Sequence, residues 1–574
     1  MTGRIRFISV IIILAALIMS TRLYFVQIVH GEFFVSEAER QNTNENTISY
    51  NRGEIYFENR TGEKIPAAIS RSGFTIAINP QIIKDPKEIY KSLSQVLVLD
   101  EAEFLTKASK KDVKYEEIVK HLNSETADKI KTLNIYGINI SADKWRFYPG
   151  GKLASNIIGF VAFNEDELAG RYGLERYYED ILKKDPSKAY NNFFAEFFSN
   201  VKESVSERPQ EEGSIIISIE PSTQLFLENE LQNVREKWAS DQAGGIIINP
   251  MNGEIIAMAW NPSFDLNNFK ESEVSLFSNP IVEGVYEMGS IIKPLTMAAG
   301  IDSGVVSATS TYYDAGFLVL NNKRISNYDN KGRGAVNMQE VLNQSLNTGA
   351  AYVALKMGNQ KFSEYMKNFG VGTETGIDLP NEGRGLVKNL DSKREIEMAT
   401  AAYGQGIAFT PIATIRALSV LANGGVLVTP HLVKKIEYQN GLSKKMSFAS
   451  GKQVIKKETS EEITRMLVNV VDKALLGGTA KIPGYSVAAK TGTAQMTNEG
   501  QVGGYVEGKY LHSFFGYFPA YQPKFLVFLF HIYPKNVRYA SETLTDPFLN
   551  ITKFLINYYQ IPPDRPEDVA AKTQ

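Results

Sequence analysis

The feature that most limits the fold of this chain is where its β-type runs fall in the second half. Two such runs, within "GGIIINPMNGEIIAMAW" (Gly244 to Trp260), are joined by Asn-Pro-Met-Asn-Gly, a hairpin signal. Three more, "YSVAAKTGTAQ", "SFFGYFP" and "FLVFLFHIY", come near the C-terminus. Helical patterns lie between them, from Ser290 onward, from Met338 to Met357 and from Ile407 to Leu421, and a closing helix is expected from Pro547 to Tyr559. Strands at both ends of a helical middle predict an α+β domain built on an antiparallel sheet.

With 574 residues the chain is too long for a single core. The expected division is 1–29, 30–235, 236–560 and 561–574. The second segment reads as mixed and loop-rich, with short strands at Phe74–Asn79 and Ser214–Ile219 and helices around Pro86–Leu99 and Ser124–Leu133. "ERPQEEG" (Glu207 to Gly213) reads as the boundary loop. Within "NNFFAEFFSNV", Phe193, Phe194, Phe197 and Phe198 share one helical face, which either packs on its own domain or meets a membrane or partner. The tail from Ile561, rich in proline and charge, is expected to be disordered.

The first 29 residues set the compartment. Arg4 and Arg6 precede an uncharged run from Phe7 to Ser20, and the apolar pattern resumes after Arg22 to Val29. The full stretch is long enough to span a bilayer, with Arg22 snorkelling to the far interface. "ALIMS" is a poor cleavage site, so a retained single-pass anchor is favoured over a cleaved signal. Either way the basic N-terminus stays in the cytoplasm and the bulk is exported.

Three chemistries are set aside. There is no cysteine, so no disulfide, zinc-thiolate site or cysteine nucleophile. The five histidines show no metal-ligand spacing, so neither metal nor cofactor is expected. A net charge of -2 gives no footprint for nucleic acid.

One short stretch points to a reaction. In "YEMGSIIKPLTMAAG" Ser290 stands three residues before Lys293, and Pro294 marks a helix start. A serine hydroxyl needs a base to become a nucleophile. At i and i+3 a lysine is its neighbour, and burial or a second cation lowers the lysine's pKa enough for that role. The helix N-terminus favours developing negative charge. Gly289 leaves room for a substrate against the backbone. The same spacing at Ser141–Lys144 and Ser199–Lys202 shows that the pair alone proves little.

Two later motifs change that. Ser345-Leu346-Asn347 is a Ser-x-Asn group, and Lys490-Thr491-Gly492 lies on a strand-like run. Ser-x-x-Lys, a Ser-x-Asn group and Lys-Thr-Gly in this order are the signature of β-lactamases and penicillin-binding proteins. "NRGEIYFENRTG", "RFYPGGKLASNIIGF" and "GLERYYE" in the first half, and "FGVGTETGIDLPNEGRG", "ATAAYGQGIAFTP" and "SFFGYFPA" in the second, extend the likeness over most of the chain. The chain resembles the class B penicillin-binding proteins, monofunctional peptidoglycan D,D-transpeptidases, and Tyr403–Pro411 resembles the division-type members.

The resemblance implies a penicillin-binding, β-lactamase-like α+β catalytic domain on an elongated mixed α/β pedestal with one transmembrane helix. It implies cross-linking of peptidoglycan stem peptides at the septum through a serine acyl-enzyme. Elongation-type transpeptidation, carboxypeptidase or β-lactamase hydrolysis, and a catalytically silent scaffold are the alternatives. Ser290 is then the nucleophile, Lys293 its base and Ser345 the proton relay. Asn347 holds Lys293 and the substrate amide, and Lys490 supplies positive potential. Thr491, Gly492, Thr493 and Gln405 bind substrate, Thr491 and Thr493 at its terminal carboxylate. The oxyanion hole is the backbone N–H of Ser290 and Thr493. Partners implied are stem peptides on lipid-linked precursor strands, β-lactams as covalent inhibitors, and a membrane glycosyltransferase with divisome or elongasome proteins. Met288, Ile291, Ile292 and Ala489 depart from the family pattern. Ile291 and Ile292 predict a less polar rim, and Ala489 a methyl narrowing the groove beside Lys490.

Overall fold

Residues 52–164, 167–183, 212–448, 451–497 and 504–570, with Leu17, Met19 and Tyr24, are described by a computed structural model. The Phe-rich face at 193–198 and nearly all of the expected anchor lie outside them. Among the described residues no helix is long and apolar enough to cross a membrane.

Strand β1 (Ile55–Glu58) turns back on the first half of β2 (Lys64–Ile78). Asn59 makes the turn, its side-chain oxygen accepting the Thr61 and Glu63 amides. The chain then builds a unit of its own from residues 70–146. It holds α1 (Pro86–Leu93), α2 (Glu101–Ala108), β3 (Glu116–Leu122), α3 (Ser124–Thr132) and β4 (Ile138–Phe147), with β3 and β4 pairing on β2. Asp85, Asp100 and Asn123 cap the three helices through side-chain oxygens. Ile76, Ile78, Leu93, Phe104 and Ile130 form its core.

The second unit comprises residues 52–69 and everything from Phe147. The elements that build its sheets and the site include, in order, β5 (Gly213–Ile217), α4 (Pro221–Lys237), β6 (Gln242–Ile248), β7 (Ile255–Asn261) and α5 (Lys293–Asp302). There follow α6 (Met338–Asn343), α7 (Asn347–Met357), α8 (Pro411–Ala422) and β8 (Val433–Tyr438). Toward the C-terminus come β9 (Ala488–Thr497), β10 (Tyr505–Phe518), β11 (Phe525–Ile532) and α9 (Ala540–Tyr558).

The five-stranded antiparallel sheet runs β9-β10-β11-β6-β7, so the hairpin and the three late strands share one sheet, as their placement predicted. All eight residues of β11 are buried because both faces are covered. Val527 and Leu529 pack with Leu231 of α4 and Phe548 and Ile551 of α9. Phe528 and Phe530 face the opposite core, with Leu295 of α5 and Leu418 of α8. An alternating strand with no polar face requires a layer of helices on each side.

Four boundaries differ from expectation. The segment 30–235 is not one body. β5 pairs parallel with β1 and antiparallel with β8, so strands from both halves of the sequence make one sheet. The helix expected from Met338 to Met357 breaks at Ser345, whose φ is +53°. The closing helix begins at Ala540, with Pro547 inside it. The tail does not hang free through residue 570. Asp564 accepts the Ser486 amide at 2.8 Å, and Arg565 pairs with Asp472 at 2.8 Å.

Candidate active site

A short 3₁₀ turn, Gly289–Ile292, leads into α5 and carries Ser290 at its second position. The turn is pressed against two neighbours, which explains its glycine. Gly289 has φ +66°, and a Cβ there would lie 3.0 Å from the Thr493 carbonyl and the Ala494 nitrogen of β9. Gly404, with φ +79°, accepts the Gly289 amide at 3.0 Å, and a Cβ on it would overlap Gly289. Among the described residues the partly exposed Ser290 hydroxyl has no hydrogen-bond partner within the chain.

The break between α6 and α7 brings the second motif in. Ser345, in the left-handed region, turns its hydroxyl and carbonyl to Lys293. Lys293 Nζ donates to both oxygens, at 3.1 Å to Oγ. From the edge strand, Lys490 Nζ donates to the same Oγ at 2.9 Å and to the Thr491 carbonyl at 2.9 Å. The three motifs therefore converge on one hydroxyl. Both lysines are buried, at 1% and 3% exposure. Burial pulls Lys293 well below the ordinary lysine range, and the charge of Lys490 pushes it further down. Burial alone brings Lys490 to about 7. Among the described residues no acidic side chain is hydrogen-bonded or ion-paired to either lysine.

The remaining site residues fall less uniformly. Asn347 opens α7, and its amide donates to the Ser326 carbonyl at 2.8 Å, so a bond to Lys293 is not among its contacts. Thr491 and Thr493 lie half-buried on β9, with Gly492 buried between them. Thr493 Oγ1 accepts the Ala540 amide, at the start of α9, at 3.1 Å. Gln405 is largely committed within the protein. Its Nε2 donates to Glu287 and weakly to the Gln495 carbonyl, and its Oε1 takes the Gln495 amide at 3.4 Å. Gln405 thus ties the loop after Gly404 to the edge strand.

Glu287 escaped the sequence reading. Three residues before Ser290, it accepts the Gly406 amide at 2.9 Å, the Gln405 amide and the Tyr505 hydroxyl at 3.0 Å. Burial raises its pKa. The signal available was its place in the motif stretch, an acid among apolar and small residues. Ser513 was missed too. Its buried hydroxyl donates to the Met288 carbonyl at 2.8 Å, fastening the nucleophile turn to β10.

The departures from the family pattern act differently from expectation. Ile291 and Ile292 are each 0% exposed and belong to the core, as does Met288, so the two isoleucines do not form a rim. Ala489 packs with Phe514 and Phe548 on the far face of the sheet, because neighbours on a strand point to opposite sides. Its methyl does not narrow the groove on the Lys490 side.

The chain is similar to known proteins over most of its length. Residues 243–552 match the family model of the penicillin binding protein transpeptidase domain, and residues 47–217 that of the penicillin-binding protein dimerisation domain. Stage V sporulation protein D of Bacillus subtilis is 32% identical, covering 95% of this chain and 84% of that protein. Peptidoglycan D,D-transpeptidase FtsI of Escherichia coli K12 is 26% identical, covering 93% and 88%. Among solved structures, penicillin binding protein 2X of Streptococcus thermophilus superposes with a TM-score of 0.71 at 20% identity, covering 91% and 82%. Penicillin binding protein 3 of Mycobacterium tuberculosis, complexed with aztreonam, superposes with a TM-score of 0.67 at 21% identity, covering 90% and 98%.

Proposed function

The chain belongs to the class B penicillin-binding proteins and is a serine-type peptidoglycan D,D-transpeptidase, and from that premise we propose how its residues divide the reaction. The observation that carries the assignment of roles is the convergence of Lys293 and Lys490 on Ser345 Oγ. Lys293, kept from its proton by burial and by its cationic neighbour, takes the proton of Ser290. Ser290 Oγ attacks the carbonyl of the penultimate D-alanine. The backbone N–H groups of Ser290 and Thr493 stabilise the resulting oxyanion, a kind of donor whose loss costs ~10²–10³ in rate. As the peptide bond breaks, the amine of the leaving D-alanine takes a proton through Ser345, which Lys293 and Lys490 resupply. An acyl ester on Ser290 remains. An amine of a neighbouring stem peptide attacks that ester, passes its proton back through the same groups, and leaves the cross-link with Ser290 restored.

Thr491 and Thr493 receive the terminal carboxylate, with Lys490 supplying positive potential. A β-lactam offers the same carbonyl and carboxylate and acylates Ser290. Gln405 is a support for β9 in this reading rather than a substrate ligand. Glu287 is held by three donors of the protein itself, which favours a lasting acyl-enzyme over hydrolysis. Residues 1–29 anchor the enzyme by a single span, with its catalytic unit outside the cytoplasm. Residues 30–235, which contribute to both units, serve as pedestal and 236–560 as the transpeptidase domain. The run Tyr403–Pro411 supports a division-type role beside a membrane glycosyltransferase and divisome proteins.

Intact mass measurement after exposure to labelled penicillin tests the core of this reading. One persistent adduct, mapped to the peptide carrying Ser290 and absent from Ser290→Ala, is expected. Rapid release of the adduct, or normal growth and cross-linking with Ser290→Ala as sole copy, overturns it. A fluorescent fusion found along the side wall and not at the septum overturns the division-type part.

A further inference from the structure

Two histidines that the reaction does not use stand in one row with a residue that it does. Across the sheet, Thr493 of β9 pairs with His512 of β10, and His512 pairs with His531 of β11. Paired residues of neighbouring strands project to the same face. Both imidazoles are 0% exposed, and their ring centroids are 5.1 Å apart. Thr543, in the first turn of α9, links them. Its Oγ1 is 3.0 Å from His512 Nδ1 and 2.9 Å from His531 Nε2. At the two ends His512 Nε2 meets the Arg538 carbonyl at 3.0 Å, and His531 Nδ1 meets the Ser240 hydroxyl at 2.7 Å.

With neutral rings this chain has one consistent direction. A carbonyl oxygen only accepts, so His512 Nε2 carries its proton and Nδ1 is bare. The Thr543 hydroxyl therefore donates to His512 Nδ1. Its proton is then spent, so His531 Nε2 must donate to Thr543. His531 Nδ1 is left bare and takes the proton of Ser240. Burial supports neutrality by pulling both imidazoles down, His512 to about 4. Every buried polar group in the row is satisfied by one donor direction, and reversing any link strands a buried donor or acceptor.

The chain ends where the substrate's carboxylate is expected. The Ala540 carbonyl, 3.3 Å from Thr543 Oγ1 within the same helical turn, is a second and more distant acceptor for that one hydroxyl proton. The Ala540 amide in turn donates to Thr493 Oγ1. Because that oxygen already accepts, the hydroxyl's own proton is left to donate. We propose that Ser240, His531, Thr543 and His512 form a positioning chain. It holds the first turn of α9 so that Ala540 sets the Thr493 hydroxyl as a donor to the carboxylate of the substrate. The inference rests on the assignment of Thr493 to that carboxylate.

The test uses the full-length enzyme and two ligands, benzylpenicillin and its methyl ester. In Thr543→Val, acylation by the free acid is expected to fall about tenfold while the ester reacts as before, the loss of one charge-assisted hydrogen bond. Thr543→Ser, which keeps the hydroxyl, is expected to restore the preference for the acid. An unchanged preference in Thr543→Val, or equal losses with acid and ester, overturns the proposal. Thr493→Val separates the two claims. If it abolishes the preference while Thr543→Val keeps it, only the positioning chain fails. If Thr493→Val itself keeps the preference, the carboxylate assignment fails and the chain with it. Nitrogen-15 NMR of the histidines in the wild-type enzyme needs no variant to fold. Both His512 and His531 are expected as neutral Nε2–H tautomers at pH 7, and an Nδ1–H tautomer or a charged ring at either position overturns the chain.

Discussion

The two faces of strand β9 carry opposite chemistries. On one, Lys490 reaches into the layer of helices and meets Ser345 and Lys293, where burial has stripped two amines of water. On the other, Thr493 faces the start of α9 and a row of neutral, fully paired imidazoles and hydroxyls. Both clusters are buried, yet burial does different work on each. Among the lysines it lowers proton affinity and creates a base. Among the histidines it keeps rings neutral and fixes the direction of hydrogen bonds. A strand separates the two because its side chains alternate with a period of two. One residue of displacement exchanges proton handling for recognition.

Four changes break or sharpen that contrast. Lys293→Arg has the largest expected effect, because a guanidinium cannot lose its proton in a protein. Penicillin acylation should fall by ~10³–10⁴ with the fold intact, measured by stopped-flow and circular dichroism. Lys490→Arg probes the second amine through pH. Lys490, lowered to about 7, is charged below that value and neutral above it. If acylation needs Lys490 charged and Lys293 neutral, the wild-type rate falls on the alkaline side near pH 7. In Lys490→Arg that alkaline fall should vanish, while the acid limb, set by Lys293, remains.

Glu287→Gln acts beside both faces. It exchanges one of the two acceptor oxygens that hold its three donors for an NH2 while keeping the shape, so the Gly404–Gly406 loop is held less firmly. Acylation is expected to drop about tenfold, as for loss of a hydrogen bond to a charged group. Thr410→Ala is the smallest and serves as the control. Thr410 caps α8 by accepting the Ala413 amide, and its loss should cost about 1 kcal/mol in denaturant unfolding with the acylation rate unchanged.

Much of the catalytic unit was legible because its signals are local. β10 and β11 follow from runs of apolar and aromatic residues, and Lys490 was correctly placed on a strand. Local signals failed where a distant segment decides. Residues 338–357 carry a continuous helical pattern, and nothing in their period announces that Ser345 leaves the helix to meet two lysines. Ala489 looked like an intrusion into the groove only because strand phase was unknown. The bond from Gln405 to Glu287 joins residues distant in sequence though adjacent in space, and no local pattern announces it.

By itself the sequence determined the kind of chemistry. A serine with a lysine one turn away, a Ser-x-Asn group and a Lys-Thr-Gly strand allow few reactions, because residue types and spacings survive without coordinates. The tertiary structure alone decided which lysine loses its water, which strand face each hydroxyl serves and which polar groups are already spent on one another. Burial, strand phase and hydrogen-bond pairing depend on segments hundreds of residues apart, and no local pattern encodes them.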